Sequence, residues 1–131
     1  MVAPPMDLFT PVALGDLELA NRIVMAPLTR LRGGSAGVPG DLIVEHYRQR
    51  ASAGLIIAEG TYVNFESQAF VGQPGIVTDE QVAGWRRVAD AVHERDGRIV
   101  LQVMHGGRGT HPDVNGGRRV VGPSAIAIDG Q

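Results

Sequence analysis

Ile99-Val100-Leu101-Gln102-Val103-Met104 is an apolar run broken by a single amide. Its lack of apolar and polar alternation predicts a strand buried on both faces, as in a parallel sheet covered by helices. Two runs of the same kind precede it: Ile23-Val24-Met25-Ala26-Pro27-Leu28 and Leu55-Ile56-Ile57-Ala58. Two helical patterns lie between the three runs. The first spans about Asp41 to Ala53, with Gly54 at the place of a helix C-terminal glycine. Leu42, Ile43, Tyr47 and Ala51 form its buried face. The second spans about Asp79 to Asp96, opened by Thr78 and Gln81 at capping-box spacing and ended by Gly97. Its apolar stripe is Val82, Trp85, Val88, Ala89 and Val92. The resulting order, β-α-β-α-β, implies parallel strands joined by right-handed crossovers. Upstream, Val12–Leu19 alternates around Gly15-Asp16 and predicts a small hairpin.

Two architectures share this order. An open doubly wound sheet carries a glycine fingerprint directly after its first strand. Here Gly33-Gly34-Ser35-Ala36-Gly37 comes too late, and neither it nor Gly106-Gly107-Arg108-Gly109 fits G-x-G-x-x-G. A (β/α)8 barrel gathers its chemistry at the C-terminal strand ends. Those ends are polar in this chain: Thr29-Arg30, Glu59-Gly60-Thr61, and Gln102 through His105. The expected fold class is therefore α/β, a partial (β/α)8 TIM barrel. It comprises the first three parallel strands, two helices and an N-terminal β-hairpin. A full barrel needs about 250 residues, so residues 1–131 are read as the N-terminal portion of one domain.

Composition narrows the chemistry. The net charge of −2 offers no basic field for nucleic acid or an anionic membrane. All 12 basic residues are Arg, which excludes a Schiff-base or phosphate-binding lysine. The absence of Cys excludes disulfides, thiolate metal sites and a cysteine nucleophile. No apolar run is long enough to span a membrane, and Met1–Pro5 lacks a leader-like layout. A cytoplasmic location is expected. Two connections, Thr61–Val77 and Gly106–Gln131, are long enough to be working loops.

Gln102 is the most informative residue. An unpaired amide inside a buried strand would cost about 1–3 kcal/mol. It therefore either bonds neighbouring backbone or meets a ligand, and a flat heterocycle with an imide edge suits an amide. Pro27 stiffens the exit of the first strand, and Thr29 presents a hydroxyl there or serves a turn. Gly60 allows close backbone approach or a simple turn. Glu59 is an acid or base, or the partner of an Arg. His105 and His111 match no metal spacing. His46 and His93 fall in the helices, and Arg30, Arg32 and Arg108 either steer an anion or are solvated.

With these residues in view, the chain resembles the old yellow enzyme family, most closely its bacterial N-ethylmaleimide and pentaerythritol tetranitrate reductase branch. The resemblance rests on Ala20-Asn21-Arg22-Ile23-Val24-Met25-Ala26-Pro27-Leu28-Thr29-Arg30 and on Tyr47 through Ile57. It continues in Gly97-Arg98-Ile99, Leu101-Gln102, His105, Gly107-Arg108, His111-Pro112 and Gly122 through Ile126. It implies a barrel holding FMN at its strand ends, and hydride transfer from NAD(P)H through the flavin to an enone or related acceptor. By position it implies flavin contacts from Ala26, Pro27, Leu28 and Thr29, the backbone of Gly60, and Gln102 at the pyrimidine edge. Thr29, Phe70 and Met104 would face the substrate pocket. Met104 stands where many relatives carry tryptophan, and Phe70 where many carry tyrosine. The family's catalytic donors fall in later segments, so no catalytic residue is assigned here. A chain limited to this part is expected to self-associate or to need a complementary, barrel-completing chain.

Overall fold

The computed structural model describes residues 7–129; the Met1–Pro5 segment lies outside them. Strands β1 (Val12–Leu14) and β2 (Leu17–Leu19) form the expected antiparallel hairpin. Its turn uses Gly15 at φ +59°. Strands β3 (Val24–Met25), β4 (Leu55–Tyr62) and β5 (Ile99–Met104) form a parallel sheet in the order β3-β4-β5. Helix α1 (Asp41–Arg48) joins β3 to β4, and α2 (Asp79–His93) joins β4 to β5. This is the strand and helix content predicted for part of a TIM barrel, with three strands and no closure among the described residues.

The core lies between the sheet and the two helices. Ile56 and Ala58 of β4 pack in one cluster with Ile43, Tyr47 and Ala51 from α1 and the turns after it, and with Trp85, Val88 and Val92 from α2. Each fully buried large apolar side chain contributes roughly 1.5–3 kcal/mol. The Trp85 indole N–H donates to the Gly75 carbonyl at 3.1 Å, so its polar atom is not stranded. Helix α2 opens as its sequence predicts. The Thr78 hydroxyl accepts from the Gln81 N–H, and the Gln81 side chain accepts from the Thr78 N–H, both at 3.3 Å.

Several details differ from expectation. Helix α1 stops at Arg48, and tight i→i+3 turns carry the chain on to Ala53. Gly54 does not cap a helix. Its N–H donates to Asn21 Oδ1 at 2.8 Å, and a Cβ on it would collide with the Asn21 carbonyl oxygen. After α2 the left-handed residue is Asp96, at φ +57°, while Gly97 is needed because a Cβ there would press on the Ala51 carbonyl. Leu42 and Val82 are exposed rather than buried. Only β4, the central strand, is buried along its length, with Ile57 alone half-buried; β3 and β5 are partly open, with Val24 and Val103 exposed. Continuous apolarity marked strands that each need a neighbour on both sides, and among the described residues only β4 has two. No helix among the described residues is long and apolar enough to cross a membrane.

Candidate functional site at the strand ends

The C-terminal ends of the parallel strands meet around a bulge. Ala58 pairs with Leu101 and Thr61 with Val103, so Glu59 and Gly60 together oppose Gln102. One extra residue inverts the side-chain alternation beyond it. Ala58 faces the helices, and strict alternation would place Gly60 on that same face. Instead, a Cβ on Gly60 would point among Met104 Sδ (2.7 Å), Thr29 Oγ1 (3.2 Å) and Gln102 Oε1 (3.4 Å). Residues from all three parallel-strand exits thus converge on one glycine.

Glu59 turns the other way, onto α1. It is fully buried. Its Oε2 accepts the Arg30 N–H at 2.8 Å and its Oε1 accepts the Tyr47 hydroxyl at 3.2 Å. Its own N–H donates to the Tyr47 oxygen at 2.8 Å. Among the described residues no guanidinium pairs with it, and a backbone N–H and a phenol stand where an Arg salt bridge was an expected alternative. Burial pushes the Glu59 carboxyl above the usual range against the pull of those two bonds. Burial likewise raises the Tyr47 phenol.

Gln102 corrects the sequence argument. It is exposed, and its side chain bonds no other group among the described residues. The penalty for a buried unpaired amide therefore does not arise, and neither does the alternative in which backbone satisfies it. Thr29 and Pro27 are half-buried; Ala26 and Leu28 are exposed. Phe70 is exposed in the loop after β4, and its side chain is not among the three atoms nearest a Cβ placed on Gly60.

Sequence reasoning missed Gln73, a fully buried amide in the β4–α2 connection. Its Nε2 donates to the Gly60 carbonyl at 2.9 Å and to Met104 Sδ at 3.5 Å. Its Oε1 accepts the N–H groups of Ala69 and Phe70. A polar residue in Gly72-Gln73-Pro74-Gly75 reads as loop surface, and no periodicity signals its burial.

No group of three metal-ligating side chains occurs among the described residues. His105 and His111 each accept a local backbone N–H through Nδ1. His46 lines a hollow of about 270 Å³ beside Arg30, Arg32, Arg50 and Glu59. Burial and those three guanidinium groups hold its imidazole below its ordinary pKa. A wider hollow of about 660 Å³ opens beside β3, lined by Ile23, Met25, Ala26 and Leu28 among others.

Residues 7–131 match the model of the NADH:flavin oxidoreductase / NADH oxidase family. A Leishmania infantum protein designated "Probable flavin mononucleotide-dependent alkene reductase" is 47% identical over 92% of this chain and 33% of its own length. Among solved structures, morphinone reductase in complex with tetrahydroNAD superposes with a TM-score of 0.89 and 51% identity, over 94% of this chain and 34% of that one. The old yellow enzyme homologue from Zymomonas mobilis superposes with a TM-score of 0.86 and 42% identity, over 94% and 36%. The chain spans about a third of the length of the relatives it matches.

Proposed function

The chain belongs to the NADH:flavin oxidoreductase / NADH oxidase family, and on that premise we propose that residues 1–131 are the N-terminal portion of a single FMN-binding (β/α)8 barrel. The observation that carries this reading is the convergence of Thr29, Gly60 and Gln102 on one point at the strand ends. These residues fit a flavin. A side chain on Gly60 would collide with Met104 Sδ at 2.7 Å, so only glycine lets these groups, and a flat ring set against them, come close to the backbone. The Gln102 amide is exposed and offers both a donor and an acceptor, which matches an imide edge. The Thr29 hydroxyl would bond the ring on its carbonyl side, with Ala26, Pro27 and Leu28 as the wall beside it. FMN bound there supplies hydride transfer from NAD(P)H to an electron-poor alkene. The protein's part is to orient the cofactor and tune its electronics.

Met104 and Phe70 form the approach to this mouth, with Thr29 at its floor. The alkene acceptor is supported by the designation of the Leishmania relative, and the nicotinamide donor by the tetrahydroNAD complex of morphinone reductase. Exposed Val24, Val100 and Val103 on the outer strands favour a second requirement. Those edges need further barrel strands, from the same polypeptide or from a complementary chain.

The test is direct. The intact protein should absorb between about 440 and 470 nm, as bound flavin does, and should oxidise NADPH when given a maleimide or cyclohexenone. Colourless protein that neither takes up FMN nor oxidises NADPH contradicts the reading.

A further inference from the structure

We propose that Gln73 is a positioning residue that fixes Met104 across the strand-end mouth and so sets which acceptors the site admits; this rests on the flavin-site reading above. A single buried amide there joins three separate segments. Through Nε2 it holds the Gly60 carbonyl and the Met104 thioether, and through Oε1 the Ala69 and Phe70 N–H groups. All four of its hydrogen-bonding positions are used, as burial requires.

The two ends of the Gln73–Met104 contact differ in stiffness. Gln73 sits in backbone tied on both sides. The Gly33 N–H donates to the Gly72 carbonyl at 2.8 Å, the Tyr62 N–H to the Pro74 carbonyl at 3.2 Å, and the Gly75 N–H to the Gly37 carbonyl at 2.9 Å. Gly72 adopts φ +76°, and a Cβ there would press on the Leu31 carbonyl at 2.6 Å. Met104 is a half-buried, unbranched side chain at the end of an outer strand, with three soft torsions. The amide therefore dictates where the thioether lies, and not the reverse. That place is over Gly60, beside Thr29 Oγ1 and Gln102 Oε1. The Phe70 segment hangs from the oxygen of the same amide at 3.3 Å. The backbone of Phe70, assigned above to the other side of the approach, is thus anchored by the same residue.

The experiment uses methyl-13C methionine spectra of the intact protein, with the Met104 signal assigned by Met104→Leu. Gln73→Glu keeps acceptor oxygens for Ala69 and Phe70 but removes both donors; Gln73→Met keeps length and guards against a fold lost to a buried charge. In either variant the Met104 methyl shift should move from a single-rotamer value towards the rotamer average. The ratio of kcat/KM for a bulky against a small cyclic enone should change about two- to tenfold, the span of one neutral hydrogen bond. In a Met104→Leu background the same Gln73 changes should leave that ratio alone. An unmoved methyl signal, or an equal Gln73 effect without Met104, overturns the proposal. Protein that holds no FMN, yet whose Met104 signal follows Gln73, contradicts the flavin reading and supports the coupling.

Discussion

Tyr47 and Glu59 are bonded reciprocally: the phenol donates to the Glu59 carboxylate at 3.2 Å and accepts the Glu59 N–H at 2.8 Å. The pair ties α1 to the bulge of β4 at the point where the strand turns its side chains over. Tyr47→Phe strands a buried N–H and a buried carboxylate oxygen together. Leaving such groups unpaired costs about 1–3 kcal/mol each. Urea unfolding should show a loss within that range or above it, and an unchanged midpoint would remove the pair from the stability of the sheet.

Glu59 also makes stability depend on pH. Burial raises its folded pKa above the ordinary 4.5, so the folded state binds more protons than the unfolded chain between the two values. This contribution is fully present below 4.5 and is lost as pH rises through the folded value. Glu59→Gln should flatten that part of the profile of unfolding free energy against pH, because an amide can still accept from Arg30 and meet the phenol. A profile that falls with pH as steeply in the variant would assign the effect elsewhere.

The proposed flavin site makes Gly60 a cofactor-facing glycine, in contrast to Gly54, which serves a packing contact. A Cβ on Gly60 meets the flexible end of Met104, which can move aside. Gly60→Ala should melt close to the parent while losing flavin retention. A Cβ on Gly54 meets the Asn21 backbone, which cannot move. Overpacking of this kind costs typically 1–3 kcal/mol, and Gly54→Ala should lose stability with no specific effect on FMN. Thermal melts and FMN titration of both variants decide this, and matched behaviour of the two would contradict it.

Thr29 is expected to stabilise the more electron-rich form of the cofactor by one hydrogen bond. A bond to a charged group is worth roughly 1.5–3 kcal/mol, which for two electrons is about 30–65 mV. Thr29→Ala should lower the flavin midpoint by that much in spectroelectrochemical titration. An unaltered potential would take Thr29 out of the site.

The strands and helices were legible because apolar runs and capping residues act locally. Thr78 and Gln81 announce α2 within four residues. The end of α1 was not legible, since Gly54 mimics a cap while serving a contact with Asn21, 33 residues away. Leu42 and Val82 fit a helical stripe, yet the sheet is too narrow here to cover them. At the site, Thr29, Gly60 and Gln102 were readable as polar or flexible residues at strand ends. Their convergence depends on the bulge at Glu59-Gly60, and no sequence pattern marks it. The apolar run around Gln102 predicts burial, whereas the residue is exposed, and in the proposed site that exposure leaves its amide free for a ligand. Gln73 was invisible because a buried loop amide has no period.

FMN titration of the intact protein against its Gln102→Leu variant, paired with thermal melts of both without FMN, probes the flavin site most directly. Gln102 is exposed and unbonded to the described residues, so the variant without cofactor should melt within about 0.5 kcal/mol of the parent, as surface changes do. Its FMN dissociation constant should rise at least about fivefold, the effect of losing one to two hydrogen bonds. Equal FMN affinity in the two proteins, or a loss of stability without any loss of affinity, would contradict a flavin site built on Thr29, Gly60 and Gln102.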